Sequence, residues 1–366
     1  MAEDITYVGL DAHLRKILVA LLTPGGEALE WQVLNEPASL GRLKRKLAGY
    51  RPIRICYEAG PLGYVLKRQL DAADLPCAVI APSLTPRRPG ERVKTDRRDA
   101  MKLAELLRAK MLVEVYPPNE EQESMRDLWR SREDAHQDLM RARHRLGKFL
   151  LRRGLVFRDG GAWSKAHRLW LRTLDFERDI DRSIFEDYML AVDQMVTRRE
   201  GIDQRIEEAC ALPVYRKQIG ALRCFRGIAT VTGLAVASEL FDARRFPTPA
   251  HLAGYLGLTP SEYSSSDRRS QGKITKAGNT HLRRLLIEAA WHYRHPARVS
   301  AQMRKRREGQ PFEIIALADR AQQRLCRRYR RMMMRGKHNH TIVVAVAREL
   351  TCYLWTALQL VQVQEN

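Results

Sequence analysis

The sequence predicts an α/β N-terminal domain on a mixed sheet, a long helical middle of coiled-coil type, and a mainly α C-terminal domain with a helix-hairpin-helix-like segment. Three observations predict it. Residues 1–118 read as strands first and helix–strand alternation afterwards. Residues 119–220 carry apolar stripes at helical spacing beneath a charged outer face. Residues 221–366 hold shorter apolar helical patterns around a loop rich in serine. A chain of 366 residues has room for two or three such domains, each with its own core.

Taken in order, the first domain opens with a short strand, Ile5 to Leu10, that ends at Asp11. Ile17 to Leu22 and Ala28 to Leu34, joined through Thr23-Pro24-Gly25-Gly26, complete an antiparallel meander. A helix at Leu40 to Leu47 precedes a buried strand, Ile53 to Tyr57, that ends at Glu58. A helix from about Leu62 to Ala72 and a strand from Cys77 to Ile80 follow. Past the Arg-rich loop 86–98, the amphipathic helix Ala100 to Ala109 is opened by Lys94-Thr95-Asp96-Arg97-Arg98-Asp99.

In the middle region, Glu120 to Leu155 and Ile184 to about Ala211 have continuous apolar stripes. They fit either a hairpin within one chain or helices shared between subunits. Trp163 and Trp170 stand among cations, where they serve as core or interface residues or stack on bases. In the last region, Phe225-Arg226-Gly227-Ile228 leads into a helix, as in a helix-hairpin-helix whose amides face a DNA phosphate. Thr248 to Tyr255 is a further helix, and Leu282 to Tyr293 is an apolar one with its start at Asn279 or Thr280. Arg304–Arg307 and Arg320–Lys337 are basic helical patches suited to backbone contact with nucleic acid, and Thr341 to Val361 reads as a core helix.

Composition narrows the function. The 64 basic residues against 43 acidic ones give a net charge of +21, which points to a polyanion, nucleic acid first. An anionic membrane surface is the competing partner, but no apolar run is expected to span a bilayer. Met1 to Thr6 carries two acids and no apolar signal core, which argues against secretion. The six cysteines lack C-x-x-C spacing and read as reduced, mostly buried thiols in a cytosolic protein.

Two groups of residues carry the chemistry. Asp11 and Glu58 stand at strand C-terminal ends, where open α/β sheets place ligands, and Asp96 and Asp99 share one helix face. Taken singly, each acid is adequately explained as a strand end or a helix N-terminus. Four together repel one another unless a hard cation compensates them, and an all-oxygen set suits Mg²⁺. Strand with Asp, meander, helix, strand with Glu, then a helical Asp pair is the order of an RNase H-like nuclease domain. Actin-like sugar kinases share its start, but Gly9-Leu10-Asp11-Ala12-His13 is a weak phosphate loop. The second group is Pro260 to Arg284. Ser264, Ser265 and Ser266 lie in a turn-rich loop, with Lys273, Lys276, Arg283 and Arg284 after it beside a helix start, a plausible anion site.

These motifs resemble the insertion-sequence-110 family of transposases. Gly-Leu-Asp11-Ala-His, Tyr-Glu58-Ala-Gly and Lys-Thr-Asp96-Arg-Arg-Asp99-Ala look like its DEDD signature. Gly-Leu-Thr-Pro-Ser-Glu-Tyr-Ser-Ser, Ile-Thr-Lys-Ala-Gly-Asn and Leu-Arg-Arg-Leu-Leu resemble its second characteristic domain. The resemblance implies a RuvC-like domain in which Asp11, Glu58, Asp96 and Asp99 hold Mg²⁺ at the scissile phosphate. It implies a serine that forms a covalent phosphoserine link to DNA; by position this is Ser265. The family usually has Ser-Gly where this chain has Ser265-Ser266, so Ser264 and Ser266 stay open. Partners implied are element-junction and target DNA, a structured guide RNA and further copies of the chain, as dimer or tetramer, with no membrane. Localisation would be cytoplasmic, at a bacterial-type nucleoid. Arg97, Arg98, Lys273, Lys276, Arg283 and Arg284 would contact nucleic acid. The alternative activity is a RuvC-like, metal-dependent junction nuclease acting by hydrolysis, and a third reading is a non-enzymatic nucleic-acid-binding scaffold.

Overall fold

The computed structural model describes residues 4–86, 96–265 and 268–363. The chain divides into two compact units, Met1–Pro118 and Asn119–Asn366, each with its own core.

The first unit is a five-stranded mixed sheet in the order β3-β2-β1-β4-β5. β1 (Thr6–Ala12), β2 (Lys16–Leu22) and β3 (Ala28–Leu34) form the antiparallel meander. β4 (Ile53–Glu58) and β5 (Cys77–Ile80) extend it in parallel on the other side of β1. The alternation of β1 decides what each face does. Val8 and Leu10 are fully buried among Leu43 and Leu47 of α1 (Pro37–Ala48) and Leu66 and Leu70 of α2 (Val65–Asp71). Gly9 and Asp11 look the other way, where α3 (Asp96–Arg108) lies against β1, β2 and β4.

Gly9 is what lets α3 in. A Cβ at this position would stand 2.1 Å from the Ala100 carbonyl and 2.7 Å from the Ala104 amide, so backbone packs directly on backbone. Ala100 then reaches Leu18 and Ala20, while Leu103 packs with Cys56 and Ile80.

The second unit is mainly helical. α4 (Glu120–Leu151) and α6 (Asp179–Cys210) run 32 residues each, with α5 (Lys165–Thr173) in the connection between them. α4 starts on a capping box, Asn119 with Gln122, and carries three acids in its first turn, which suits the helix dipole. Arg132–Asp203 and Arg198–Asp138 pairs, with Arg153–Asp181 just past the end of α4, run in opposite senses along the two helices. The long helices are therefore antiparallel partners within one chain. Trp163 and Trp170 pack at the far end of this hairpin, around Phe157 and His167, with Arg143 over the Trp163 ring.

α7 (Pro213–Arg223) and α8 (Thr230–Leu240) are joined at Gly227, whose φ is +84°. A Cβ there would meet the Ala289 carbonyl at 2.5 Å, so this glycine is pressed into the unit. α9 (Pro249–Tyr255) leads to a two-stranded antiparallel sheet, β6 (Pro260–Ser265) and β7 (Arg268–Ile274), then to α10 (Thr280–Ala290). The expected serine loop is thus a β-hairpin. α11 (Ala301–Arg307), α12 (Phe312–Met334) and α13 (Asn339–Val363) complete the chain.

α13 corrects one expectation. Over Asn339–Gln362 it is long and apolar enough to cross a membrane by length and composition alone. Half of that apolar window is buried, and Ile342, Val343, Val346, Ala347 and Leu350 are at 0% exposure in the core shared with α9, α10 and α12. All six cysteines are free thiols, and five of them are buried.

Candidate active site

β1 and β4 are hydrogen-bonded neighbours in which Leu10 stands opposite Tyr57. Asp11 and Glu58 are the next residues along these parallel strands. By alternation both face the side covered by α3, with Gly9 and Cys56 two residues before them. Leu18, the register partner of Asp11, packs on Ala100, so the first turn of α3 with Asp99 belongs to this same end of the sheet. Asp96 opens α3 three residues earlier; its side chain and that of Arg97 lie outside the described residues, as do residues 87–95.

The acids already have polar neighbours. His13 Nε2 is 3.1 Å from Asp11 Oδ2, and the Thr85 hydroxyl donates to Glu58 Oε1 at 3.1 Å. Tyr57 OH donates to Gly63 O at 3.0 Å, which holds the turn immediately after Glu58. Arg98 is exposed on α3. Among the described residues, no group of three or more His, Cys, Asp or Glu side chains is arranged to hold a metal ion. Asp11, Glu58 and Asp99 carry hard carboxylate oxygens, the donor type a divalent cation takes, at one end of the sheet, but their side chains are not gathered into a closed site.

The serine hairpin is the other candidate. Ser265 closes β6 opposite Arg268, and Ser264 lies opposite Arg269. The side chains of these four residues, and all of Ser266 and Asp267, lie outside the described residues. The hairpin's base is fixed by backbone contacts. Thr275 N donates to Thr259 O at 2.9 Å, Lys276 N to Gly257 O at 3.2 Å, and Asn279 N to Tyr255 O at 3.3 Å. Gly278 has a φ of +70°, and a Cβ there would stand 1.9 Å from Tyr255 O. Gly278→Ala is therefore expected to destabilise the second unit by at least about 2 kcal/mol, from strain and lost close approach. Thermal denaturation checks it, with a midpoint lower by at least about 4 °C; an unchanged midpoint would contradict this packing.

The four cations after the hairpin have different situations. Lys273 and Lys276 are exposed, Lys276 in the left-handed region at φ +56°. Arg283 is buried, with 9% exposure, and its guanidinium donates to Leu256 O at 3.0 Å and Ala277 O at 2.8 Å. Burial also lowers its pKa. Arg284 is bound to Glu133 of α4 at 2.7 Å and to Glu288 at 2.8 Å. Arg283 is thus engaged inside the fold, and Arg284 is ion-paired at its edge.

A buried network missed at the sequence level sits beneath the hairpin. Asn279 caps α10 by accepting from Leu282 N at 3.0 Å, as its residue type predicts. Its Nδ2 donates to Glu239 Oε2 at 2.9 Å. Glu239, at 3% exposure, also accepts from Trp129 Nε1 at 3.1 Å and from Arg130 Nε and Nη2 at 2.8 and 3.0 Å. Burial pushes this carboxyl up, but the Arg130 guanidinium, Asn279 and Trp129 outweigh burial and hold it below the usual carboxylate range. The available signal was a single charged residue in α8, an otherwise uncharged helix.

Residues 8–153 match the DEDD transposase family model of IS110 elements, and residues 220–306 match the transposase family described as IS116/IS110/IS902. The protein is a DNA transposase. A putative transposase of Sinorhizobium fredii, y4qE, is 37% identical over 353 residues, covering 95% of this chain and 87% of that protein. The transposase for insertion sequence element IS1533 of Leptospira borgpetersenii is 33% identical over 337 residues, covering 90% and 97%. The chain belongs to the IS116/IS110/IS902 family of insertion-sequence transposases. Its partner is DNA, and a DEDD transposase domain implies a divalent metal.

Proposed function

We propose that this transposase cuts and rejoins DNA with four carboxylates and a serine nucleophile. The observation that carries the reading is Asp11 and Glu58 on neighbouring parallel strands, facing the helix that bears Asp96 and Asp99. In this reading residues 1–118 are a RuvC-like catalytic domain. Residues 119–220 are a helical linker and oligomerisation region, and residues 221–366 carry the serine hairpin. Asp11, Glu58, Asp96 and Asp99 would hold Mg²⁺. When bound, the cation offsets charge on the phosphoryl oxygens and on the attacking and leaving oxygens.

Ser265 Oγ attacks phosphorus as the bond to the leaving strand's oxygen breaks. The serine proton is released, and the departing oxygen takes up a proton. Attack by an incoming strand's hydroxyl on the phosphoserine reverses these bonds, so strands rejoin without ATP. The exposed Arg98, with Arg97 next to it in sequence, and the exposed Lys273 and Lys276 act on the phosphate backbone. We assign Arg283 to holding the base of the hairpin and Arg284 to joining α10 to α4, because their guanidinium groups are engaged there. Guidance by a structured RNA, action as a dimer or tetramer, and a nucleoid location in the cytoplasm follow from the family resemblance.

Adduct trapping tests the reading. The protein is incubated with Mg²⁺, element-junction DNA and the flanking transcript, then denatured beside Ser264→Ala, Ser265→Ala and Ser266→Ala. A labelled protein–DNA band lost only in Ser265→Ala is expected. Cleavage without a band in any lane would overturn the serine mechanism in favour of a hydrolytic junction nuclease. A band that persists in Ser265→Ala and disappears in one neighbour would move the nucleophile.

A further inference from the structure

The outer faces of α12 and α13 form an arginine-lined groove that no step above uses. Arg320, Arg324, Arg327 and Arg331 recur at i, i+4, i+7 and i+11 of α12, one side of the helix. The opposite side, with Leu317, Ala321, Leu325 and Tyr329, is buried. Arg348 and Tyr353 of α13 face the ladder. Two cavities of about 450 and about 360 Å³ share Arg324, Arg328 and Tyr353 as walls, so they adjoin.

Charge in the groove is one-sided. Among the described residues Glu349 is the only carboxylate in its walls, and it is taken up by Arg324 and by Arg328, the latter at 2.9 Å. Arg320, Arg327, Arg331 and Arg348 are exposed, and no acid pairs with them among the described residues. Four unpaired guanidinium groups on one strip, held beside an aromatic ring, match a chain of phosphates carrying bases.

Dimensions choose the form of that chain. Arg320 to Arg331 spans about 16 Å of helix, the length of roughly five stacked nucleotides of one strand. A base can stack on Tyr353 only when it is free of a duplex, so the form that uses both the ladder and the ring is a single strand. The chain is a DNA transposase, so the strand offered to this groove is DNA.

We propose that this groove seats a single strand of the DNA on which the transposase acts, with the arginine ladder on its phosphates and Tyr353 against a base. The site is separate from the serine hairpin and does not depend on the identity of the nucleophile. A strand opened at a cleavage site needs such a track if it is not to re-anneal before rejoining.

The test uses the full chain and labelled DNA oligonucleotides of about ten nucleotides, a site size usual for such grooves. Affinity is measured by anisotropy across a salt series. The combined Arg320→Gln, Arg327→Gln, Arg331→Gln and Arg348→Gln variant removes surface charge only, and its melting midpoint is recorded beside it. Single-strand affinity should fall at least about tenfold and the salt slope by about 3, from 0.7 per lost phosphate contact. Tyr353→Leu should weaken binding about 5- to 150-fold, the value of one stacked base, with the slope unchanged. Duplex DNA of the same sequence should be held within about threefold by both variants. Unchanged single-strand affinity and slope would overturn the proposal. So would an equal loss for duplex, or tighter binding of RNA than of DNA of the same sequence.

Discussion

Asp11→Asn is expected to lower the rate of DNA strand cleavage by about three orders of magnitude, with folding left nearly as it was. The substitution keeps the shape of the side chain and an oxygen able to meet His13, 3.1 Å away. It removes the negative charge that a divalent cation requires at the end of β1. A metal contributes several kcal/mol to a phosphoryl transition state, and about 4 kcal/mol corresponds to about a thousandfold in rate. Glu58→Gln should behave alike, because Glu58 occupies the adjoining position of the neighbouring parallel strand. Single-turnover cleavage gives the rate, and thermal denaturation should show stability within about 0.5 kcal/mol of wild type. Full activity in either variant would remove the carboxylates from the mechanism.

Glu239→Gln should produce the largest structural effect. Glu239 accepts from three side chains at once: Trp129, Arg130 and Asn279. A glutamine amide would put an N–H₂ group against Arg130 Nη2 and Asn279 Nδ2, donors facing donors. Asn279 cannot turn over to answer it, because its oxygen already caps α10 at Leu282 N. The cost should be about 3 kcal/mol, the scale of a lost charged hydrogen bond with a buried group left unmet. A unit of this size would then melt roughly 6–12 °C lower. Adduct formation should fall as well, even below the melting range, since Asn279 anchors the base of the serine hairpin.

The pH dependence carries a sign. Glu239 titrates lower in the fold than in the unfolded chain. Its stabilisation is therefore complete above the ordinary glutamate value of about 4.3 and is lost as pH falls through the folded value. Wild type should lose stability in that acid window and Glu239→Gln should lose less. Equal acid slopes, or an unchanged midpoint at neutral pH, would contradict the network.

Much of the framework is legible in the sequence. β3 and β5 have the bounds expected of them, and Asn279 caps α10 as Asn does at helix starts. These features follow from local chemistry: alternation, turn residues and capping act over a few positions. Gly9 was readable as sharing a side with Asp11, but its purpose was not. Only the approach of Ala100, far along the chain, explains why no Cβ is tolerated there. The apolar spacing of α13 reads as core, and its fully buried residues do pack with α9, α10 and α12, although its length and apolarity also reach those of a membrane span.

The sequence by itself determined that this is a basic, two-motif transposase with acids at strand ends and serines ahead of a capped helix. It could not say which charges remain available. Arg283 and Arg284 look as free as Lys273 and Lys276 when written in a row, yet the arginines are engaged within the unit and the lysines are exposed. The pairing of Trp129 with Glu239, and of α4 with α6, joins residues far apart in the chain. Burial and hydrogen-bond satisfaction depend on which surfaces close together, and tertiary packing alone decides that.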